Sequence, residues 1–253
     1  MALQIAGTTA LVTGANRGIG RALVEALLER GAARVYATAR RPEALGDLVA
    51  RYGERVVPVR LDVTRPSEVR AVAAQAGDVR LLINNAGIVA KFGGELTDPD
   101  WMAAARDEFE VNVLGALSVT QSFAPLLAGR AGAAVVNISS LAGLAAFPAV
   151  ASYSASKAAL HSLTQATRAL LAPHGVHVAG VYPGPIDTDM ARPFEMVKTA
   201  PEAAAHAILD GLEDGREEIF PDPTARELGE LFLHDPKALE QQFAATVTAS
   251  TNA

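Results

Sequence analysis

Thr8-Thr9-Ala10-Leu11-Val12-Thr13-Gly14-Ala15-Asn16-Arg17-Gly18-Ile19-Gly20 is the stretch whose reading decides the fold. Its first half is a short apolar and β-branched run of the kind that fills a buried strand. Its second half places three glycines in a turn, and Gly18–Arg30 then follows with the apolar spacing of an amphipathic helix. Strand, glycine turn and helix start, in that order, aim backbone N–H groups and the positive end of a helix dipole at one point. That arrangement suits a pyrophosphate, which the glycines let the backbone approach. Gly14, Asn16, Arg17, Gly18, Ile19 and Gly20 are therefore candidate phosphate-binding residues. A glycine turn alone is equally a tight connection; its place between the first strand and the first helix favours the phosphate.

Working outward, short valine-rich runs alternate with longer segments of helical spacing. Thr8–Thr13, Arg34–Ala39, Val56–Leu61, Arg80–Asn84, Ala133–Ile138 and Val176–Tyr182 read as strands, with Glu218–Pro221 a weaker seventh. Gly18–Arg30, Pro42–Tyr52, Pro66–Ala76, Pro99–Ala128 and Ser152–Ala172 read as helices, and Thr64-Arg65-Pro66 and Asp98-Pro99 look like capped starts. Strands apolar on both faces and joined by helices belong in a parallel sheet covered on both sides. The expectation is one α/β domain over 1–253, a doubly wound Rossmann-type sheet of about seven strands. Residues 189–215 are expected to form a mobile substrate flap and 224–247 a carboxyl-terminal helical tail.

Composition narrows the function. The chain has 253 residues, half of them hydrophobic, with 22 basic against 28 acidic side chains, so no basic field exists to recruit nucleic acid. With no cysteine, thiolate metal sites, disulfides and cysteine nucleophiles are excluded. The five histidines, His161, His174, His177, His206 and His234, show no metal-ligand spacing, and no metal is expected. The first ten residues lack the pattern of a secretory signal. The uncharged run from Ala131 to Ser156 carries Asn137, Ser139, Ser140, Pro148 and Ser152, which argues for a buried strand and loop over a membrane span. A cytoplasmic protein is expected.

The second strand ends in Ala37-Thr38-Ala39-Arg40-Arg41, with no carboxylate to hold a ribose 2′-hydroxyl. A guanidinium there suits a 2′-phosphate, so Arg40, with Arg17 as a second arm, argues for NADP(H). Arg40 and Arg41 are alternatively a solvated pair opening a loop.

Taken with Asp62-Val63, Asn84-Asn85-Ala86-Gly87, Asn112, Ser140, Tyr153-Ser154-Ala155-Ser156-Lys157 and Pro183-Gly184 through Thr188, the sequence resembles the short-chain dehydrogenase/reductase family in its single-domain form, across about three-quarters of its length. The resemblance implies nicotinamide-dependent carbonyl or alcohol chemistry. It places Asp62 and Val63 at the adenine and Asn85, Ala86 and Gly87 beside the adenosine ribose. Pro183, Gly184, Ile186 and Thr188 would lie at the nicotinamide. Ser140 would hold the substrate oxygen, with Ser139 as second choice, Tyr153 would be the general acid/base and Lys157 its partner, and Asn112 would lead a water to the lysine. A Tyr-x-x-x-Lys pair lies on one helix face, and an ammonium about 4 Å from a phenol supplies about the 4 kcal/mol needed to bring a pKa of about 10 near neutrality. Each of these residues taken singly has a plainer structural reading; their joint order and spacing favour catalysis.

Ile88–Phe92, Leu141–Phe147, Val150, Ile186, Met190, Phe194 and Met196 are expected to line a mainly apolar pocket, which fits a small hydrophobic ketone, aldehyde or secondary alcohol. Core packing is the competing reading of those residues. The resemblance implies a homodimer through the helices bearing Asn112 and Tyr153, with a homotetramer as the other assembly and the long tail covering a sheet edge or a neighbouring subunit. An NADP-linked epimerase or dehydratase, and a non-catalytic NADP-sensing protein, are the rival readings.

Overall fold

The computed structural model describes residues 3–95 and 97–251, with side-chain surroundings given as far as residue 246. Met1, Ala2, Leu96, Asn252 and Ala253 lie outside that description. Seven parallel strands run in the order β3-β2-β1-β4-β5-β6-β7: β1 (Thr9–Val12), β2 (Arg34–Ala39), β3 (Val56–Arg60), β4 (Leu81–Asn84), β5 (Ala134–Ile138), β6 (His177–Val181) and β7 (Glu218–Ile219). All six neighbouring pairs are parallel. This is the doubly wound sheet expected from the alternation of elements, trimmed by a residue or two at most strand ends. The seventh strand has two residues where Glu218–Pro221 was expected.

Alternation along each strand builds two cores. Ala10, Val12, Leu81 and Ile83 face one layer, and Leu11 and Leu82 the other, all of them fully buried. The first layer contains α1 (Gly18–Glu29) and α2 (Gly46–Tyr52), the latter reached through a short 3-10 turn at Pro42–Leu45. The second contains α3 (Pro66–Gln75), α4 (Trp101–Phe109), α5 (Ala116–Leu127) and α6 (Ala151–Leu171). Burial of each large aliphatic side chain in these layers contributes about 1.5–3 kcal/mol. Between α4 and α5 the chain forms a π-helical segment, Glu110–Gly115, so the single helix expected over Pro99–Ala128 is three consecutive pieces.

Three expectations are corrected. Thr64 and Asp98 do not cap helices: Arg65 and Asp100 stand at the N-caps of α3 and α4 without side-chain caps, and Thr64 Oγ1 instead donates to Asp62 Oδ1. The flap does not run from 189 to 215. Pro201–Glu213 is a regular helix, α7, whose Ala204, Ala205, Ile208, Leu209 and Leu212 are fully buried as it packs on α1, so the non-helical stretch ends before Pro201 apart from one 3-10 turn at Asp189–Ala191. The tail is two helices, α8 (Pro223–His234) and α9 (Pro236–Thr251). Pro236 cannot donate a backbone hydrogen bond and restricts Asp235, which breaks the helix there. These helices pack Leu228 and Leu239 against Leu141, beyond the carboxyl end of β5.

Candidate active site

The glycine turn sits where strand order reverses, between β1 and β4. Gly14 and Gly18 take the left-handed backbone region, with φ of 66° and 53°, where a side chain would be strained. A Cβ on Gly20 would collide with the Gly14 carbonyl oxygen and Asn85 Nδ2. The turn is locked from β4: Asn85 Nδ2 donates to the Thr13 and Gly14 carbonyls at 2.9 and 3.1 Å, and the N–H groups of Asn85 and Ala86 donate to Thr13 Oγ1 at 2.9 and 3.0 Å. No side chain caps α1, whose first N–H groups face the cleft. The result is an anion cradle made of backbone.

Arg40 is exposed and lines the same cleft as Asp62. Burial alone would raise the Asp62 carboxyl, but hydrogen bonds from Thr64, with the charges of Arg65 and Arg40, hold it below the usual carboxylate range. Arg17 reaches across to the flap, where its Nη1 lies 3.2 Å from Asp189 Oδ2. In this conformation it is therefore shared with Asp189 rather than turned wholly towards Arg40. Val63 packs on Gly115 of the π segment, where any Cβ would meet its Cγ2 at 2.7 Å.

Pro183–Thr188 returns over the turn, and Thr188 Cγ2 would lie 3.0 Å from a Cβ on Gly18. Its position is fixed by Asp222, a buried N-cap that accepts from Gly184 N at 2.8 Å and from Ala225 N at 2.9 Å. Sequence reasoning missed this residue, although Asp222-Pro223 is a cap followed by proline at the first helical position.

The remaining residues meet on α6. Ser140 and Tyr153 line the same cleft, with Ser140 placed to favour the ionised phenol, whereas Ser139 Oγ donates to the Lys157 carbonyl at 3.1 Å. Lys157 Nζ donates to the Ile138 carbonyl at 2.7 Å and stands 5.6 Å from the centre of the Tyr153 ring. The depressed phenol expected from an ammonium at the hydroxyl is not what this geometry holds. Burial pushes Tyr153 up to about 12, opposed by Ser140, which lowers it, and assisted by the nearby Glu108 charge, which raises it further. Burial also brings Lys157 down to about 8. Asn112 is fully buried in the π segment: its Oδ1 accepts from Ile88 N at 2.8 Å, and its Nδ2 donates to the Ile88 carbonyl and to Ser156 Oγ, both at 3.0 Å. A Cβ on Gly87 would lie 3.2 Å from Asn112 Oδ1 and 3.5 Å from Lys157 Nζ, so Gly87 leaves room where the two approach.

A single cleft of about 1020 Å³ is lined by the candidate residues of the glycine turn, by Arg40, Asp62, Val63, Asn85, Ala86, Gly87, Ser140, Tyr153, Lys157, Pro183, Gly184, Ile186 and Thr188; Asn112 lies behind it. Of the expected apolar lining, Ile88, Val89, Leu141, Ala142, Phe147, Val150, Ile186, Met190, Phe194 and Met196 face the cleft, while Ala90, Lys91, Phe92 and the residues 143–146 do not. Thr224, Leu228 and Phe243 were not expected there and come from α8 and α9. Phe243 meets Phe147 edge-on at 5.4 Å, Phe147 meets Phe194 at 5.8 Å and Phe194 meets Phe92 at 5.7 Å, a row of rings closing one end. Among the described residues there is no cluster of metal-ligating side chains, and no helix is long and apolar enough to cross a membrane.

A backbone anion cradle at the switch point of a parallel sheet, continuous with a Ser-Tyr-Lys cluster, defines a dinucleotide-binding oxidoreductase class. The short chain dehydrogenase profile matches residues 8–198. The chain belongs to the short-chain dehydrogenase/reductase family of oxidoreductases. A short chain dehydrogenase from Burkholderia cenocepacia, solved in complex with NADP, superposes with a TM-score of 0.87 at 44% identity, over 95% of this chain and 99% of that one. Among curated relatives, the ketoacyl reductase HetN of Nostoc is 30% identical over 90% of this chain and 84% of its own length. An NADPH-dependent 1-acyldihydroxyacetone phosphate reductase of Saccharomyces cerevisiae is 33% identical over 81% and 68%.

Proposed function

We propose that this chain is an NADP(H)-dependent oxidoreductase that interconverts a ketone or aldehyde with an alcohol on a small apolar substrate, with Tyr153 as general acid and base. The observation that carries the proposal is the meeting of Ser140, Tyr153 and Lys157, the last 5.6 Å from the Tyr153 ring centre, in one cleft with the glycine cradle. The cradle fits the cofactor: left-handed glycines, uncapped N–H groups at α1 and the exposed Arg40 match a pyrophosphate and a 2′-phosphate. The NADP bound by the Burkholderia relative supports the same choice.

Bound NADPH supplies the hydride. Ser140 holds the carbonyl oxygen, and Tyr153 donates its proton to the alkoxide that develops there. Burial keeps the Tyr153 phenol protonated at neutral pH, which is the form reduction needs. Lys157, protonated below about 8, stabilises the phenolate left behind, so reduction weakens as pH rises through that value. Asn112 orders Ile88 and the start of the path by which Tyr153 regains a proton. The apolar wall of Leu141, Phe147, Val150, Phe194 and Phe243 favours a hydrophobic substituent over a phosphorylated one. Exposed Met102, Phe109 and Leu114 on the α4–α5 face support a homodimer paired through these helices.

The test is cofactor oxidation against a panel of ketones and aldehydes, with product quantified. Stoichiometric NADPH consumption, with NADH used far less well, is expected. Substrate turnover with no net NADPH consumption would instead indicate an epimerase or dehydratase.

A further inference from the structure

Glu108 is a fully buried carboxylate in the last turn of α4, outside the residues so far assigned to chemistry. Its Oε1 accepts from the backbone N–H of Ala90 at 2.8 Å, but its Oε2 has no hydrogen-bond partner. Ser152 Oγ, in the first turn of α6, is likewise buried and without a partner. An uncompensated polar group in a protein interior costs about 1–3 kcal/mol, and more when charged, so two of them in one small region call for a physical account.

The helices bring the pair together. β4, β5 and β6 are adjacent parallel strands, so the α4–α5 crossover and α6 both run back along the same face and parallel to one another. Their register is set by the Asn112–Ser156 hydrogen bond. About one turn earlier on each helix stand Glu108 and Ser152, in the region where α4 packs on α6. The residue after Ser152 is Tyr153.

We propose that Glu108 is a positioning residue of this active site: Oε1 fixes the Ile88–Ala90 wall beside Asn112, and Oε2 shares one bridging water with Ser152 Oγ, tying down the turn that carries Tyr153. A buried water makes about two to four hydrogen bonds to polar partners, and Glu108 Oε2 and Ser152 Oγ would supply two of them. The inference rests on the role given to Tyr153 above. Glu108 also sets the electrostatics of that residue, since its charge opposes the phenolate. The other charged or titratable groups around it are Tyr153 and Lys157 on α6, Asp107 and Glu110 on its own helix turn, and Lys91 on the loop after β4, already engaged by Asp98 and Asp100.

Glu108→Gln keeps an acceptor for Ala90 and removes the charge, which separates the two roles. Ultraviolet titration of tyrosinate absorbance, with the Tyr153→Phe spectrum subtracted, should show the Tyr153 midpoint falling by about half a unit or more in Glu108→Gln. An unmoved midpoint overturns the electrostatic part. Glu108→Ala and Ser152→Ala should lower kcat about tenfold and about threefold with the KM for NADPH unchanged, and Glu108→Gln should recover most of the loss. Wild-type kcat in Ser152→Ala overturns the bridge. Wild-type kcat in Glu108→Ala overturns the positioning role. Thermal unfolding and NADPH binding of each variant identify any that fails to fold, and if Glu108→Ala does, Glu108→Gln and Ser152→Ala carry the test. The tyrosinate titration needs no substrate, so a failure of the wild type to turn over ketones would strike the proposed function and leave this reading separately decided.

Discussion

The cofactor end and the substrate end of the cleft are built on different physics. The first is made of backbone: Gly14, Gly18 and Gly20 shape a turn that only glycine fits, and Thr13 and Asn85 hold it from two neighbouring strands. The second is made of side chains from four places far apart in the chain, with Phe92, Phe147, Phe194 and Phe243 meeting ring to ring. A backbone cradle has little tolerance and little variety. A wall of packed rings tolerates change and sets preference.

Substitutions at the two ends should therefore differ in kind and size. At the cofactor end, Gly20→Ala puts a methyl group into the Gly14 carbonyl and Asn85. Overpacking of that sort costs about 1–3 kcal/mol, a Tm decrease of about 3–10 °C by calorimetry, with NADPH binding weakened by a factor of about ten to a hundred. Unchanged binding would mean the cradle deforms freely, and the contrast would fail. Arg40→Asp removes a charge-assisted contact and adds repulsion, so kcat/KM with NADPH should fall about 10–100-fold while that with NADH changes little. Equal loss with both cofactors would remove the 2′-phosphate role. At the substrate end, Phe243→Ala should raise KM for aryl or bulky ketones about 3–10-fold and leave small methyl ketones nearly unaffected, with Tm close to wild type. A uniform loss of kcat would show that α9 supports the catalytic cluster instead of selecting substrates.

The same contrast explains what was legible in the sequence. Strand alternation and the glycine turn are local and legible from spacing, whereas the Asn112, Ser140, Tyr153 and Lys157 set was singled out by its order along the chain, which resembles the family's. The direction of the Ser139 and Ser140 side chains was also legible, since neighbours at the end of a strand point oppositely. The flap boundary was not. Ala204, Ala205, Ile208 and Leu209 form a good apolar face, but the glycine at 211 and the charged surface around it blurred the period over 189–215. Asp222 and Phe243 were missed because their partners, Gly184 and Phe147, lie 38 and 96 residues away. The orientation of Lys157 was hidden for a related reason: spacing places a lysine on the same face as Tyr153 but does not say that its Nζ turns to the Ile138 carbonyl. Glu108 left no signal at all, because nothing in an acidic stretch of helix marks one carboxylate as buried.

Pre-steady-state reduction of an accepted ketone with saturating NADPH, comparing wild type with Tyr153→Phe, reaches the core of the account. With cofactor affinity and Tm preserved, the single-turnover rate should fall by about 10²–10⁴-fold, the contribution of a positioned proton donor. A rate within about twofold of wild type would show that the proton comes from elsewhere.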